Sequence, residues 1–373
     1  MLAPYARALA PLDGFMEDGK LPDLDDVGDF IPTQLDAAGR FVDRDVLLAL
    51  PYDAPTLIWI YRKDILEKHR GRMQDDLGFD PQPGGDRTWE EYYAMAKWLG
   101  ENAKDDAPYG SGHQAKQHDS LMNDFSNVLW GYGGDYFEQG GEVGRFGSED
   151  PGEALLDRPE ALEAAEMYRK LLSVAHPSSL GWDWTGLGEA FGAGQVAMAI
   201  EWHEFAAGFV TGDLKGKVGY ARVPRGPQRS ASMYGGCGIA VNGVATKREQ
   251  GAAWLFVLWA TSKDTQLMGL KSDVGGGTPT RESIYRLPEV ERAAKTGDEM
   301  PNLLTTDAVF QAWEPDNIGL RPKIPAWNEC DTAIFTELSK MLAGSKSPET
   351  AMRDAKTAFE SANERARKSL ARA

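Results

Sequence analysis

Leu50–Ile65 reads LPYDAPTLIWIYRKDI, and its two halves have different characters. The first, Pro51-Tyr52-Asp53-Ala54-Pro55, is a polar bend bracketed by prolines. The second, Thr56-Leu57-Ile58-Trp59-Ile60-Tyr61, is β-branched, aliphatic and aromatic throughout. A run so rich in β-formers predicts a buried strand, and prolines kept to its mouth fit a strand that starts at an exposed bend. The chain is expected to pass here from one lobe to another. Just upstream, Asp45–Ala49 (DVLLA) is almost unbroken apolar sequence, as in a strand covered on both faces. Downstream, Lys63–Arg72 predicts a helix, and the Gly-, Pro- and Asp-rich stretch 75–86 a loop.

With 373 residues the chain exceeds what one hydrophobic core usually serves, so two lobes are expected. Forty basic residues against 57 acidic ones give a formal charge of −17. Such a field repels phosphate backbones, and the only local basic cluster is the tail 365–372, so nucleic acid is not an expected partner. Cys237 and Cys330 make neither a disulfide framework nor a metal knuckle; two free thiols and a single bridge both stay open. No stretch approaches the roughly 20 apolar residues that span a bilayer. The opening MLAPYARALAPLDGF has no basic, apolar and cleavable series of a secretory signal.

Further along, the chain alternates strand and helix signals. Thr88-x-x-Glu91 is a capping box, followed by Trp89, Tyr92, Ala96 and Leu99 on one helical face. Tyr109–Gln114 (YGSGHQ) predicts a short strand with an open end, and His118–Trp130 a helix stopped by the glycines of 131–134. Asp157-x-x-Glu160 is expected to cap the next helix, and Trp182-Asp183-Trp184 to lie in a loop. Gln195–Trp202 and Lys217–Val223 predict strands, and Gly235-Gly236 introduces another, Cys237–Val241, read as a second crossing between lobes. Thr246-x-x-Glu249 caps a helix whose body, Ala252–Trp259, is apolar all round and therefore expected to be buried. A glycine loop follows over 272–280, then a helix over Met300–Trp313 and a third, extended crossing over Arg321–Trp327. Ser347-Pro348-Glu349 opens the final helix, with proline at its favoured first position. This alternation argues an α/β fold with parallel sheets, and three crossings imply discontinuous lobes around a cleft, where small ligands bind.

Enzyme motifs are missing: there is no GxSxG, no P-loop and no HExxH, and the glycines of 275–277 lack the lysine and helix start that a phosphate loop needs. Among five histidines only His113 and His118 have a spacing that could suggest metal; neither metal nor cofactor is expected. The eleven tryptophans point elsewhere. A polyhydroxylated ligand needs aromatic planes for its C–H faces and planar polar groups for its hydroxyl edges. Trp182, Trp184, Trp202, Trp313 and Trp327 are read as loop residues, with core packing and ligand stacking equally open for each. Gly235 and Gly236 leave main-chain N–H groups approachable, or simply open a tight strand. Asp53, next to Tyr52, is a hydroxyl acceptor or a turn residue bonding its own backbone. Arg321 binds an anionic group or ties a crossing to a lobe.

The order of several short motifs carries a resemblance. They are the Pro-led strand ending Tyr61-Arg-Lys-Asp64, then Thr88-Trp-Glu-Glu91, Phe191-Gly-Ala-Gly-Gln-Val-Ala-Met198, Tyr234-Gly-Gly-Cys-Gly-Ile-Ala-Val241, Gly277-Thr-Pro-Thr-Arg281 and Arg321-Pro-Lys-Ile-Pro325. Together they resemble the extracellular solute-binding proteins of carbohydrate ABC importers, the group that includes maltose-binding proteins. The resemblance implies a type II periplasmic-binding-protein-like α/β fold, two lobes joined by three crossings. Lobe 1 would be 1–57 and 236–320, and lobe 2 58–235 and 321–373. In that family an opening strand–helix set of lobe 1 precedes a segment like Leu2–Phe15; that set is absent from this sequence, so lobe 1 is expected to be N-terminally incomplete, and no export signal or lipid anchor is present in it. The resemblance places His113, Gln114, Asp119 and Asn123 at the cleft, along with Trp184, Trp202, Trp327 and the Gly235 pair. The expected function is capture of a sugar, oligosaccharide or polyol by hinge closure and delivery to membrane permease subunits, by a monomer in the periplasm or an equivalent extracytoplasmic space. The alternative is a carbohydrate-active enzyme, a glycosidase or lyase, on a similar frame.

Overall fold

The structure, a computed structural model, describes residues 2–17, 19–271 and 277–372, so positions 272–276 of the expected glycine loop lie outside the described residues. The strands are β1 (Ala49–Asp53), β2 (Leu57–Arg62), β3 (Tyr109–Gly112), β4 (Val196–Trp202), β5 (Val218–Ala221), β6 (Ser232–Tyr234), β7 (Cys237–Ala240) and β8 (Ile318–Leu320). They make one four-stranded sheet in the order β3-β4-β2-β5 and two pairs, β1-β7 and β6-β8.

β2 is the strand expected from Thr56–Tyr61. Its two-residue period sends Leu57, Trp59 and Tyr61 into one core, with Trp89, Tyr92 and Phe125, and Ile58 and Ile60 into a second, with Phe191 and Val196. Both faces are covered, which is why the run has no polar position. The helix Trp89–Asn102 opens with the capping box: Thr88 Oγ1 accepts from the Glu91 N–H and the Glu91 carboxylate accepts from the Thr88 N–H. At the other end, Ser347 caps Pro348–Leu370, whose Ala351, Ala355 and Ala362 turn inward.

Three passages of chain run side by side between the lobes. Thr56 bridges antiparallel to Tyr234, the Gly235 N–H donates to the Pro55 carbonyl at 2.8 Å, and β6 pairs in parallel with β8. On one side stand the four-stranded sheet and its two cores. On the other stand β1-β7 and an apolar cluster around Leu12, Phe30, Leu50 and Trp254.

Several expectations are corrected. The main sheet is mixed rather than parallel: only β3-β4 is parallel, and β2 runs antiparallel to both neighbours. The cause is the crossing itself, since β2 enters the lobe where β4 leaves it, Leu57 opposite Trp202. β1 covers Ala49–Asp53 and not Asp45–Ala49; Pro51 is tolerated because β1 pairs with β7 alone and its other edge needs no donor. The third extended passage is Ile318–Leu320, and Trp327 already opens the helix Trp327–Leu342. Asp183 accepts from the Gly186 N–H and caps the helix Trp184–Gly192, so Trp184 is helical, and Trp313 ends the helix Thr306–Trp313. That helix sends Ala308, Val309 and Trp313 into the core beneath Ile58 and Ile60. Asp157 does not cap Pro159–Leu172, which begins at Arg158 without a side-chain cap. Both cysteines are free, Cys237 exposed and Cys330 buried. In Lys247–Ala260 only Trp254 and Val257 of the apolar body are buried, while Leu255, Phe256 and Trp259 are 46%, 56% and 54% exposed. The sheet beside this helix is two strands wide, and among the described residues nothing covers its second face.

Candidate functional site

A cavity of about 470 Å³ opens where the passages meet, lined by Tyr52 from β1, by Gly235, Gly236 and Cys237 from the second passage, and by Arg321 and Lys323 from the third. Four residues singled out from sequence, Tyr52, Gly235, Gly236 and Arg321, therefore line one cavity. The glycines have a steric reason to be there. A Cβ on Gly235 would lie 2.6 Å from Trp202 Cζ3, and one on Gly236 2.0 Å from the Tyr234 ring. The space each missing side chain leaves is filled by an aromatic ring of the protein itself, and Trp202 is thereby laid against the second passage.

Asp53 sits just behind. Its Oδ1 accepts from the Thr278 N–H at 2.7 Å and from its own neighbour, the Ala54 N–H, at 3.0 Å. Sequence reasoning missed its companion Glu204, which follows β4. Burial, and then the Asp53 charge, pushes the Glu204 carboxyl up to about 8. Across the cavity wall, Asp119 at the start of the helix Asp119–Gly131 lies 3.9 Å from Arg321 Nη1. Asp331, also missed, is pushed up to about 7 by burial and by Asp119, against the pull of Arg321. Arg321 is thus flanked by acids, the arrangement of a crossing tied to a lobe.

Of the remaining singled-out residues, Trp184 is half-buried and the others are buried. His113 is buried, its Nδ1 2.9 Å from Asp124 Oδ2, an oxygen that also accepts from the Tyr168 hydroxyl. Gln114 is buried too and donates to Glu201 Oε1 at 3.1 Å. Asn123 stands one helical turn beyond Asp119, buried, its Oδ1 without a partner among the described residues. Trp184 meets the His118 ring edge-on at 4.9 Å. Trp327 is fully buried between Tyr136 and Phe359, a core residue rather than a stacking plate. Lys323, missed as well, places its ammonium against the carbonyls of Asp36, Ala37, Arg40 and Arg145, at the ends of the helices Pro32–Gly39 and Gly141–Arg145.

Residues 2–267 match the family model of the bacterial extracellular solute-binding proteins. The chain belongs to that family. A probable amino-acid ABC transporter periplasmic-binding protein of Sinorhizobium fredii is 25% identical over 361 residues, 96% of this chain and 73% of its own length. Maltose-bound MalE3 of T. maritima superposes with a TM-score of 0.74 at 24% identity, covering 95% of this chain and 80% of that one. An ABC transporter solute-binding protein of Agrobacterium vitis with bound D-mannitol gives 0.73 at 22% identity, covering 98% and 83%. The two-lobed type II architecture is that of these proteins. No helix among the described residues of this solute-binding protein is long and apolar enough to cross a membrane, and its family works outside the cytoplasm.

Proposed function

We propose that this solute-binding protein is the receptor of an ABC importer, capturing a sugar, oligosaccharide or polyol and handing it to membrane permease subunits. The observation that carries the reading is the cavity at the three passages, where Tyr52, the Gly235 pair and Arg321 converge from segments distant in sequence. A ligand held there touches both lobes only when they close, so binding shifts the open and closed populations by its differential affinity. The relatives with bound maltose and D-mannitol support a polyhydroxylated ligand. The division at 57/58 and 235/236, and action as a monomer, belong to the same proposal; in it the third boundary, expected at 320/321, falls before the helix Thr306–Trp313, whose Ala308, Val309 and Trp313 share the core of Ile58 and Ile60.

Isothermal titration with maltose, D-mannitol, ribitol and the common amino acids tests it. Saturable heat with a sugar or polyol recovered unaltered is expected. Heat only with amino acids overturns the ligand class, and a chemically altered sugar overturns the receptor in favour of a glycosidase or lyase.

A further inference from the structure

We propose that Thr278, with His203 and Glu204, forms a hydrogen-bonded clasp at the hinge that sets the angle between the lobes. The inference rests on the two-lobed receptor described above. His203 and Glu204 leave the main sheet directly after β4. Thr278 comes from the opposite body: its neighbour Thr280 accepts from the Ile31 N–H at 2.9 Å and donates from Oγ1 to the Pro51 carbonyl at 2.8 Å, and Arg281 bridges to Phe30.

The contacts between the bodies have a defined direction. The Thr56 N–H, which can only donate, lies 3.1 Å from His203 Nδ1, nearer than the Thr56 carbonyl at 3.3 Å, which already accepts from the His203 N–H at 3.0 Å; that nitrogen therefore accepts and the ring proton is on Nε2. Nε2 is 2.7 Å from Thr278 Oγ1, which therefore accepts there and sends its own proton to Glu204 Oε1 at 3.0 Å. The Thr278 N–H completes the clasp on Asp53. The chain thus runs from Thr56 in the first passage, through the imidazole and one hydroxyl, to Glu204. Each donor has one acceptor, and a threonine hydroxyl is the one group that serves both neighbours. Burial holds His203 neutral, its imidazole pushed down to about 4, as this direction requires. The other ionisable groups near the carboxylates are Tyr52, Tyr234, Tyr285 and Cys237, and Arg321 acts on the Cys237 thiol beside them.

Thr278→Val keeps the shape and removes both hydroxyl bonds, whereas Thr278→Ser keeps them. Spin labels on exposed positions of the two lobes, Arg248→Cys and Lys104→Cys in a Cys237→Ser background, read the interlobe distance by pulsed electron paramagnetic resonance without any ligand. The expected result is loss of the single narrow distance peak in Thr278→Val and its return in Thr278→Ser. An unchanged peak in a folded Thr278→Val, or a serine variant as broad as valine, overturns the clasp. If Thr278→Val does not fold, Glu204→Leu, which removes the terminal acceptor, carries the same expectation and the same refutation. Because no ligand is added, failure here leaves the ligand reading standing, and a wild-type protein that binds no sugar leaves the clasp standing.

Discussion

Replacing Gly235 by alanine isolates the packing that holds Trp202 at the cavity wall. The added Cβ would sit 2.6 Å from Trp202 Cζ3, 2.8 Å from Cη2 and 3.3 Å from the Pro55 carbonyl. Carbon atoms rest at about 3.5–4.0 Å, so the indole must give way by about 1 Å. Neither backbone can yield easily: the Gly235 N–H is bonded to Pro55 at 2.8 Å, and the Trp202 N–H to Glu201 Oε1 at 2.8 Å. Overpacking of this kind costs about 1–3 kcal/mol. Alanine also narrows the unfolded ensemble, worth about 0.4–1 kcal/mol in the other direction. The clash is larger, and a net loss of about 1–2 kcal/mol is expected. Urea unfolding of Gly235→Ala, Trp202→Leu and the double variant measures it. With the indole gone the Cβ has room, so the alanine should cost nothing, or stabilise, in the Trp202→Leu background. An equal loss in both backgrounds would refute the steric argument and place the strain in the backbone.

Lys323→Met should lower the unfolding free energy by about 2–3 kcal/mol, because four carbonyls at two helix ends lose their donor; burial already makes the charge costly, and a variant as stable as wild type in urea would mean that this cost outweighs the bonds. Glu204 is held protonated in the fold, up to about 8, and ionises near its ordinary value when unfolded, so its contribution is full at low pH and is lost as the pH rises towards 8. Unfolding free energies at pH 5, 7 and 8.5 should therefore fall less steeply in Glu204→Gln than in wild type, the difference removing the parallel contribution of Asp331. Phe256→Ser with Trp259→Ser should change stability by no more than about 0.5 kcal/mol, since both rings are more than half exposed, and should reduce self-association in light scattering at raised concentration; a large stability loss would show that these rings are packed.

What was legible in the sequence follows the distance over which each feature is decided. β2 is legible because a strand covered on both faces writes its burial into every residue from Leu57 to Tyr61. The capping boxes at Thr88 and Thr246 close within one helical turn, and both form. The all-round apolar body of Lys247–Ala260 does not ensure burial, because its apolar surface needs a sheet wider than two strands to cover it, and sheet width is set by chain far away. The same holds at the site. A histidine and a glutamine after a glycine-bearing strand can face water or core; Asp124 and Glu201, from two other elements, turn His113 and Gln114 inward. Trp327 satisfied a stacking rule and a packing rule equally, and Tyr136 with Phe359 decided for packing.

Thr278 shows the converse. It stands within Gly277-Thr-Pro-Thr-Arg281, yet has no local reason to matter, since its partners His203, Glu204 and Asp53 lie 75, 74 and 225 positions away. A hydroxyl is small and common, and only the meeting of donor-limited Thr56 with a neutral imidazole gives it a direction. Polar groups at a hinge are constrained by both bodies at once, so their roles emerge only when the two bodies are placed. Aromatic and apolar positions reveal the body they belong to. The junction between bodies is therefore where sequence reasoning loses resolution first, and also where a single methyl-for-hydroxyl exchange has the most to alter.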